Sequence, residues 1–99
     1  MTSVEIRRVE TNKKQYLALL LLADEQEDMI DRYLERGSMY VLEDDGVKAE
    51  CVVTDEGGGV LELKNIAVEP DFQGKGYGKA LVDFLIRTYA GQYMLLQVG

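Results

Sequence analysis

The sequence predicts a single α+β domain with the element order β-α-α-β-β-β-α-β. Three observations carry that reading. Apolar residues make up 46% of a 99-residue chain, which suits one packed core and argues against disorder. The first third is rich in helix formers, and the middle third breaks into β-rich segments separated by glycine turns. The last third returns to a helix that opens on a run of alternate glycines and closes into a short β-rich segment.

Val4–Val9 alternates Val4, Ile6 and Val9 imperfectly with charged residues, as a short half-exposed strand would. Asn12 followed by Gln15 is a helix-start signal, and Asp24 with Glu27 resembles a second capping box. Two helices are therefore expected, over Lys13–Leu22 and Glu25–Arg36. In the second, Met29, Ile30, Tyr33 and Leu34 share a face by their spacing, and Gly37 suits the position just past the end.

Beyond Gly37 the period changes. Met39–Leu42 and Val47–Thr54 read as strands joined by Asp44-Asp45-Gly46, a type I′ hairpin signal. Glu56-Gly57-Gly58-Gly59 reverses the chain again before Val60–Val68, so these three strands form an antiparallel meander. After Glu69-Pro70-Asp71 and the glycine run, a helix is expected over Tyr77–Ala90, with Gly91 as its stop. Ala80, Leu81, Phe84, Leu85 and Thr88 line one face of it, and Val82, Ile86 and Tyr89 widen that face, which predicts cover on more than one side. Tyr93–Val98 reads as a last strand, parallel to Val60–Val68 through a right-handed crossover.

Charge and composition exclude several functions. A net charge of −7 with scattered basic residues weighs against a nucleic-acid partner, and none is expected; an acidic surface suits a cationic small substrate better. Asp24, Glu25, Glu27, Asp28, Asp31 and Glu35 make the second helix acidic, either as a solvated face or as a lip attracting an amine. With no histidine, the commonest general base and metal ligand are absent, and no metal is expected. Cys51 stands alone, so no internal disulfide can form, and it reads as a small buried hydrophobe. The longest apolar run, Tyr16–Ala23, is too short to span a bilayer. No membrane partner and a cytoplasmic location are expected.

The run Gln73-Gly74-Lys75-Gly76-Tyr77-Gly78-Lys79 carries the chemistry. Glycine permits positive φ and lets a ligand approach bare backbone. The first turn of the helix that follows presents amides with no partner at the positive end of its dipole. Together with Lys75 and Lys79 these make an anion cradle. A turn that merely allows a sharp reversal would need fewer glycines. The phosphate loop of nucleotide triphosphatases requires Ser or Thr after Gly78-Lys79, where Ala80 stands. The dinucleotide fingerprint requires a different glycine spacing after the first strand of a parallel sheet.

The stretch from Leu61 to Leu81 resembles the central motif of the GNAT superfamily of N-acyltransferases. Gln73, Gly76 and Gly78 match its Gln-x-x-Gly-x-Gly core, and Ile66 to Pro70 match the Ile-Ala-Val-x-Pro pattern before it. The resemblance implies a GNAT-like mixed sheet, truncated here after the strand that follows the central helix. It implies acetyl-CoA or another acyl-CoA as co-substrate, lying between the strands at Val60–Val68 and Tyr93–Val98. The amides of Gln73, Gly74, Lys75, Gly76, Tyr77, Gly78 and Lys79 would hold its pyrophosphate, and the main chain of Ile66, Ala67 and Val68 its pantetheine arm. The implied reaction is direct attack of a primary amine, on a small molecule or a protein, upon the thioester carbonyl. Ile66 N–H would polarise that carbonyl. Glu62 lies where several family members carry a proton-accepting carboxylate, and it reads equally as a solvent-facing strand residue. Lys64 and Asn65 read as strand-face residues, and Tyr33 and Tyr40 as core or as cleft lining.

The family domain continues with a further helix and two strands, whereas this sequence stops at Gly99. A non-catalytic acyl-CoA-binding or interaction module is therefore the alternative function. The Tyr93–Val98 edge is expected to pair with a second copy or with a complementing chain.

Overall fold

The computed structural model describes residues 4–93 and 95–98, and its strands form one five-stranded sheet in chain order. β1 (Glu5–Val9), β2 (Ser38–Glu43), β3 (Val47–Gly57) and β4 (Val60–Val68) are antiparallel neighbours. β5 (Leu95–Val98) runs parallel to β4, reached through a helix as the crossover requires. Of the expected strand Tyr93–Val98, Met94 lies outside the described residues, and Tyr93 makes only an isolated bridge to Ala90.

Strand alternation divides the core into two layers. Ala49, Cys51 and Val53 of β3 pack with Leu61, Leu63 and the buried Leu81 and Leu85 of α3 (Tyr77–Tyr89). Val52 and Val41 turn the other way, onto Leu20 of α1 (Leu17–Ala23) and Ile30 of α2 (Glu27–Asp31). The sheet is thus sandwiched between α1 and α2 on one side and α3 on the other. Cover on α3 is less complete than its apolar breadth predicts: Ile86 is 55% exposed and Thr88 is also exposed.

The first two helices differ from expectation, and one lysine explains much of it. Lys13 is buried, and its ammonium donates to the carbonyls of Leu34, Glu35 and Gly37 at 2.8, 3.2 and 2.8 Å. All three of its donors are thereby satisfied, and the carbonyls after α2 find a partner outside a helix. The expected Glu25–Arg36 helix accordingly shrinks to Glu27–Asp31 followed by turns. Around Lys13 itself the chain forms a 3-10 turn, Lys13–Tyr16, after Asn12 at φ 51 with no side-chain cap. Nor does the second capping box form. Asp24 is extended and accepts from Gln26 N–H and the Tyr33 hydroxyl, so Gln26 begins α2 uncapped.

The turns are closer to their sequence signals. Asp45 and Gly46 both take positive φ, 57 and 98, but the connection has three residues and the β2–β3 register shifts beside it. A bulged loop therefore replaces the two-residue hairpin. The two-residue geometry occurs instead at Gly58-Gly59, φ 63 and 81, between paired Gly57 and Val60. Among the described residues no helix is long and apolar enough to cross a membrane.

Candidate functional site

The site is built on a fault in β4. Val52 pairs with Asn65, yet Val53 pairs with Leu63, so Lys64 is an extra residue on its strand. Such a bulge bends the strand and interrupts its alternation. Leu63 and Ile66 consequently both face the α3 layer, while Lys64 and Asn65 both face α1 and α2. β5 accompanies β4 only from Val60 to Leu63. Past the bulge, residues 64–68 of β4 have no strand on that edge among the described residues.

Which backbone groups reach the open edge follows from one hydrogen bond. Glu69 N–H donates to the Lys48 carbonyl at 2.8 Å, in register with the Ala49–Val68 pair. Polar groups alternate sides along an antiparallel strand, so Ala67 directs its N–H and C=O to β3. Ile66 and Val68 direct theirs outward. The main chain of Ala67 is therefore engaged within the sheet, and it contributes to the edge through its side chain alone.

Across from this edge lies the glycine turn. Gly74 and Gly76 have φ 81 and 85, and a Cβ added at either would meet nothing within 4 Å. Backbone conformation, not crowding, is what requires glycine there. Gly76 begins α3 with no side-chain cap, and the first helical bond runs from Ala80 N–H to the Gly76 carbonyl at 2.9 Å. The amides of Tyr77, Gly78 and Lys79 precede that bond, and among the described residues no protein group accepts from them. Gly78 is helical, and its absent Cβ would stand 3.8 Å from Val68 Cγ2. It forms bare wall in a groove of about 300 Å³ lined by Leu22, Ile66, Ala67, Val68, Gln73 and Gly78. Gln73 Nε2 reaches the Val68 carbonyl at 3.5 Å across it.

The side chains of the turn are less engaged than its backbone. Tyr77 packs against the α3-side core and its hydroxyl donates to Asp44 at 2.5 Å, so its side chain is engaged away from the turn. That bond to Asp44 raises the Tyr77 hydroxyl above its usual range. Lys75 lies over the Phe72 ring at 5.5 Å. Lys79 pairs with Asp83 at 2.8 Å, which offsets the charge expected beside the turn.

A second cavity, of about 440 Å³, opens on the other face of β4. Its floor is Glu62 and Lys64, joined by a 2.8 Å ion pair, and its walls include Asp24, Arg32, Tyr33 and Arg36. Glu62 thus does not share the groove that collects Ile66, Gln73 and Gly78. The end of α1 borders both spaces, with Leu22 on one and Ala23 on the other. Tyr33 is both buried and cleft-lining; its hydroxyl donates to Asp24 at 3.2 Å, and burial pushes its pKa up. Tyr40 is core only, sharing a 2.7 Å hydrogen bond with the Tyr89 hydroxyl.

Residues 35–98 match the family model described as the GNAT acetyltransferase domain. This chain belongs to the GNAT acetyltransferase family. An uncharacterized N-acetyltransferase of Bacillus subtilis, YvbK, is 43% identical over 74 residues, which span 74% of this chain and 47% of that protein. A GNAT family acetyltransferase from Elizabethkingia anophelis, solved with acetyl-CoA bound, superposes with a TM-score of 0.89 at 29% identity, covering 96% of this chain and 63% of that one. An IAA acetyltransferase from Bacillus cereus gives 0.85 at 39%, covering 97% and 65%. A Bacillus subtilis acetyltransferase in complex with CoA gives 0.79 at 36%, covering 87% and 57%. The chain therefore spans about half of the curated relative and less than two thirds of each of these solved GNAT proteins.

Two buried polar residues are structural features of this GNAT sheet: Asn65, read from the sequence as a strand-face residue, and Glu50, which sequence reasoning passed over. Asn65 is buried, and its Nδ2 donates to the Leu20 carbonyl at 3.0 Å and to the Tyr33 hydroxyl at 3.1 Å. It ties β4 to both covering helical segments. Glu50 is fully buried on β3, and among the described residues neither of its carboxyl oxygens has a partner. Burial alone pushes its carboxyl up to about 8. Its position two residues before the inward-facing Val52 was the available signal. Burial likewise pushes the Cys51 thiol up, as for an inert core residue.

Proposed function

We propose that this chain binds an acyl-CoA in the groove between β4 and α3 and, within a GNAT N-acetyltransferase, delivers the acetyl group to a primary amine. One observation carries the reading. Gly78, whose amide stands with those of Tyr77 and Lys79 before the first helical hydrogen bond, lines the same groove as Ile66 and Val68, whose N–H and C=O groups point outward. A helix start of this kind suits a diphosphate, and an open strand edge suits the amides of a pantetheine arm. The acetyl-CoA and CoA held by the solved relatives support the assignment.

In this reading Gly74 and Gly76 set the turn, and amides from Gln73 to Lys79 receive the pyrophosphate, with Lys75 adding charge. Ile66 and Val68 extend their hydrogen-bonding ladder to the arm, beside Ala67. Acetyl-CoA supplies the thioester. Ile66 N–H donates to the carbonyl oxygen as negative charge develops there. Glu62 takes the proton from the attacking ammonium, the new bond forms between nitrogen and carbonyl carbon, and the carbon–sulfur bond breaks. The thiolate leaves and takes up, through solvent, the proton that the acylated nitrogen gives up.

Calorimetric titration with CoA is the first test, and absence of heat at millimolar ligand would defeat the proposal. A thiol-release assay over a panel of amines then separates transfer from binding alone. Glu62→Gln should slow release by about 100-fold while leaving CoA affinity unchanged. If it alters neither, Glu62 is not the base. We extend the proposal to β5, which lies at the edge of the sheet order and takes a further strand from a second copy or a complementing chain. Light scattering should show association at high concentration, and a sharp monomer throughout would contradict it.

A further inference from the structure

The cavity on the α1/α2 face of β4 holds charges of both signs, not the acidic lining a simple cationic acceptor would select. We infer that the acceptor of this acetyl transfer is a small amino carboxylate, a primary amine that also carries an anionic group. This rests on the acetyl-transfer reading above and adds the chemical class of the acceptor. Three cationic side chains line the cavity, Arg32, Arg36 and Lys64, against two carboxylates, Asp24 and Glu62. Once Lys64 is paired with Glu62 and Arg36 with Glu56, Arg32 and Asp24 remain as one cation and one anion without an ionic partner among the described residues, the pattern a zwitterion fits.

The acidic residues of the α2 segment do not reverse this. Of them only Asp24 lines the cavity. Glu27 and Asp31 pair instead with Lys14, at 2.7 and 2.6 Å. The sequence expectation of an acidic lip drawing in a cation is therefore not met by this wall.

Existing pairs account for most of the lining charges. Glu62 is paired with Lys64 at 2.8 Å, Arg36 with Glu56 at 3.3 Å, and Asp24 accepts from Tyr33 at 3.2 Å. Among the described residues Arg32 has no acidic partner. A guanidinium presents a planar fork that matches a carboxylate with two hydrogen bonds. An acceptor whose amine lies toward Glu62 and whose carboxylate lies toward Arg32 completes this charge pattern. A diamine would place its second cation against Arg32. The volume, about 440 Å³, suits a small molecule.

Three acceptors of one carbon-chain length test the inference: γ-aminobutyrate, butylamine and putrescine, which end in an anion, a methyl group and a cation. Each is titrated calorimetrically into CoA-saturated protein and compared by KM in the thiol-release assay. The amino carboxylate should bind about tenfold tighter than butylamine, with putrescine weakest. Arg32→Gln should remove that advantage and leave butylamine and CoA binding unchanged, and Arg32→Lys should restore part of it. Equal or tighter binding of putrescine, or an Arg32→Gln protein that still prefers γ-aminobutyrate, would overturn the inference while the transfer reading stands. If CoA itself fails to bind, both fall together.

Discussion

Glu50→Gln should stabilise the fold by about 3 kcal/mol near pH 7, with the gain depending steeply on pH. Glu50 is 0% exposed, lacks hydrogen-bond partners among the described residues, and has its carboxyl pushed up to about 8 by burial. The sign follows from linkage. With the folded pKa above the unfolded one, the native state keeps its proton in a range where the unfolded chain has already released it. Native stability from this group is fully present below the unfolded pKa, falls as pH rises from that value, and reaches its floor above about 8. Glutamine is nearly the same shape and cannot ionise. The variant should therefore match the parent in acid, diverge through neutrality and hold a constant advantage above the folded pKa. Tyr33 and Cys51, which the Glu50 charge reaches, are themselves pushed up by burial and remain neutral through this window. Urea unfolding at a series of pH values reads the difference directly. Parallel stability curves would mean that the Glu50 carboxyl stays charged in the native state.

The contrast between Glu50 and the glycine turn shows what the sequence could disclose. Gly74 and Gly76 adopt positive φ, a requirement met within the residues themselves and followed at once by a helix, so the turn is legible from a few adjacent letters. The meander was legible for the same reason, through the local chemistry of Asp45-Gly46 and Gly58-Gly59. The β4 bulge left a fainter mark. Apolar positions fall at Leu61 and Leu63 and then at Ile66 and Val68, a slip of phase across Lys64-Asn65 that coincides with the extra residue. What the sequence hid depends on distant partners. Lys13 reaches carbonyls more than twenty positions away, and no local propensity would end α2 where those contacts end it. The acidic run of the second helical segment suggested a cation-attracting lip because its pairing with Lys14 is invisible in composition. Placement of Glu62 on the face opposite the groove likewise depends on the packed layers, not on the motif that surrounds it.

Gly78→Val should weaken CoA binding by about 100-fold while changing stability by no more than about 1 kcal/mol. These two effects separate because Gly78 differs from its neighbours in the turn. Its backbone is helical, not left-handed, so a side chain costs no backbone strain. The built Cβ meets only Val68 Cγ2, at 3.8 Å, which is ordinary contact. Glycine is a poor helix former, so replacement by most residues favours α3. Nothing in the folded protein therefore demands glycine at this position. The methyls of valine would instead occupy the groove between α3 and Val68, beside Gln73, and cover the adjacent amides that have no acceptor among the described residues. Calorimetry with CoA and thermal unfolding on the same sample read both quantities. A variant that unfolds with the parent but no longer binds would show that the gap is kept for a ligand. If affinity is unchanged, the amides of the first turn do not face the diphosphate, and the groove between β4 and α3 is not the CoA site.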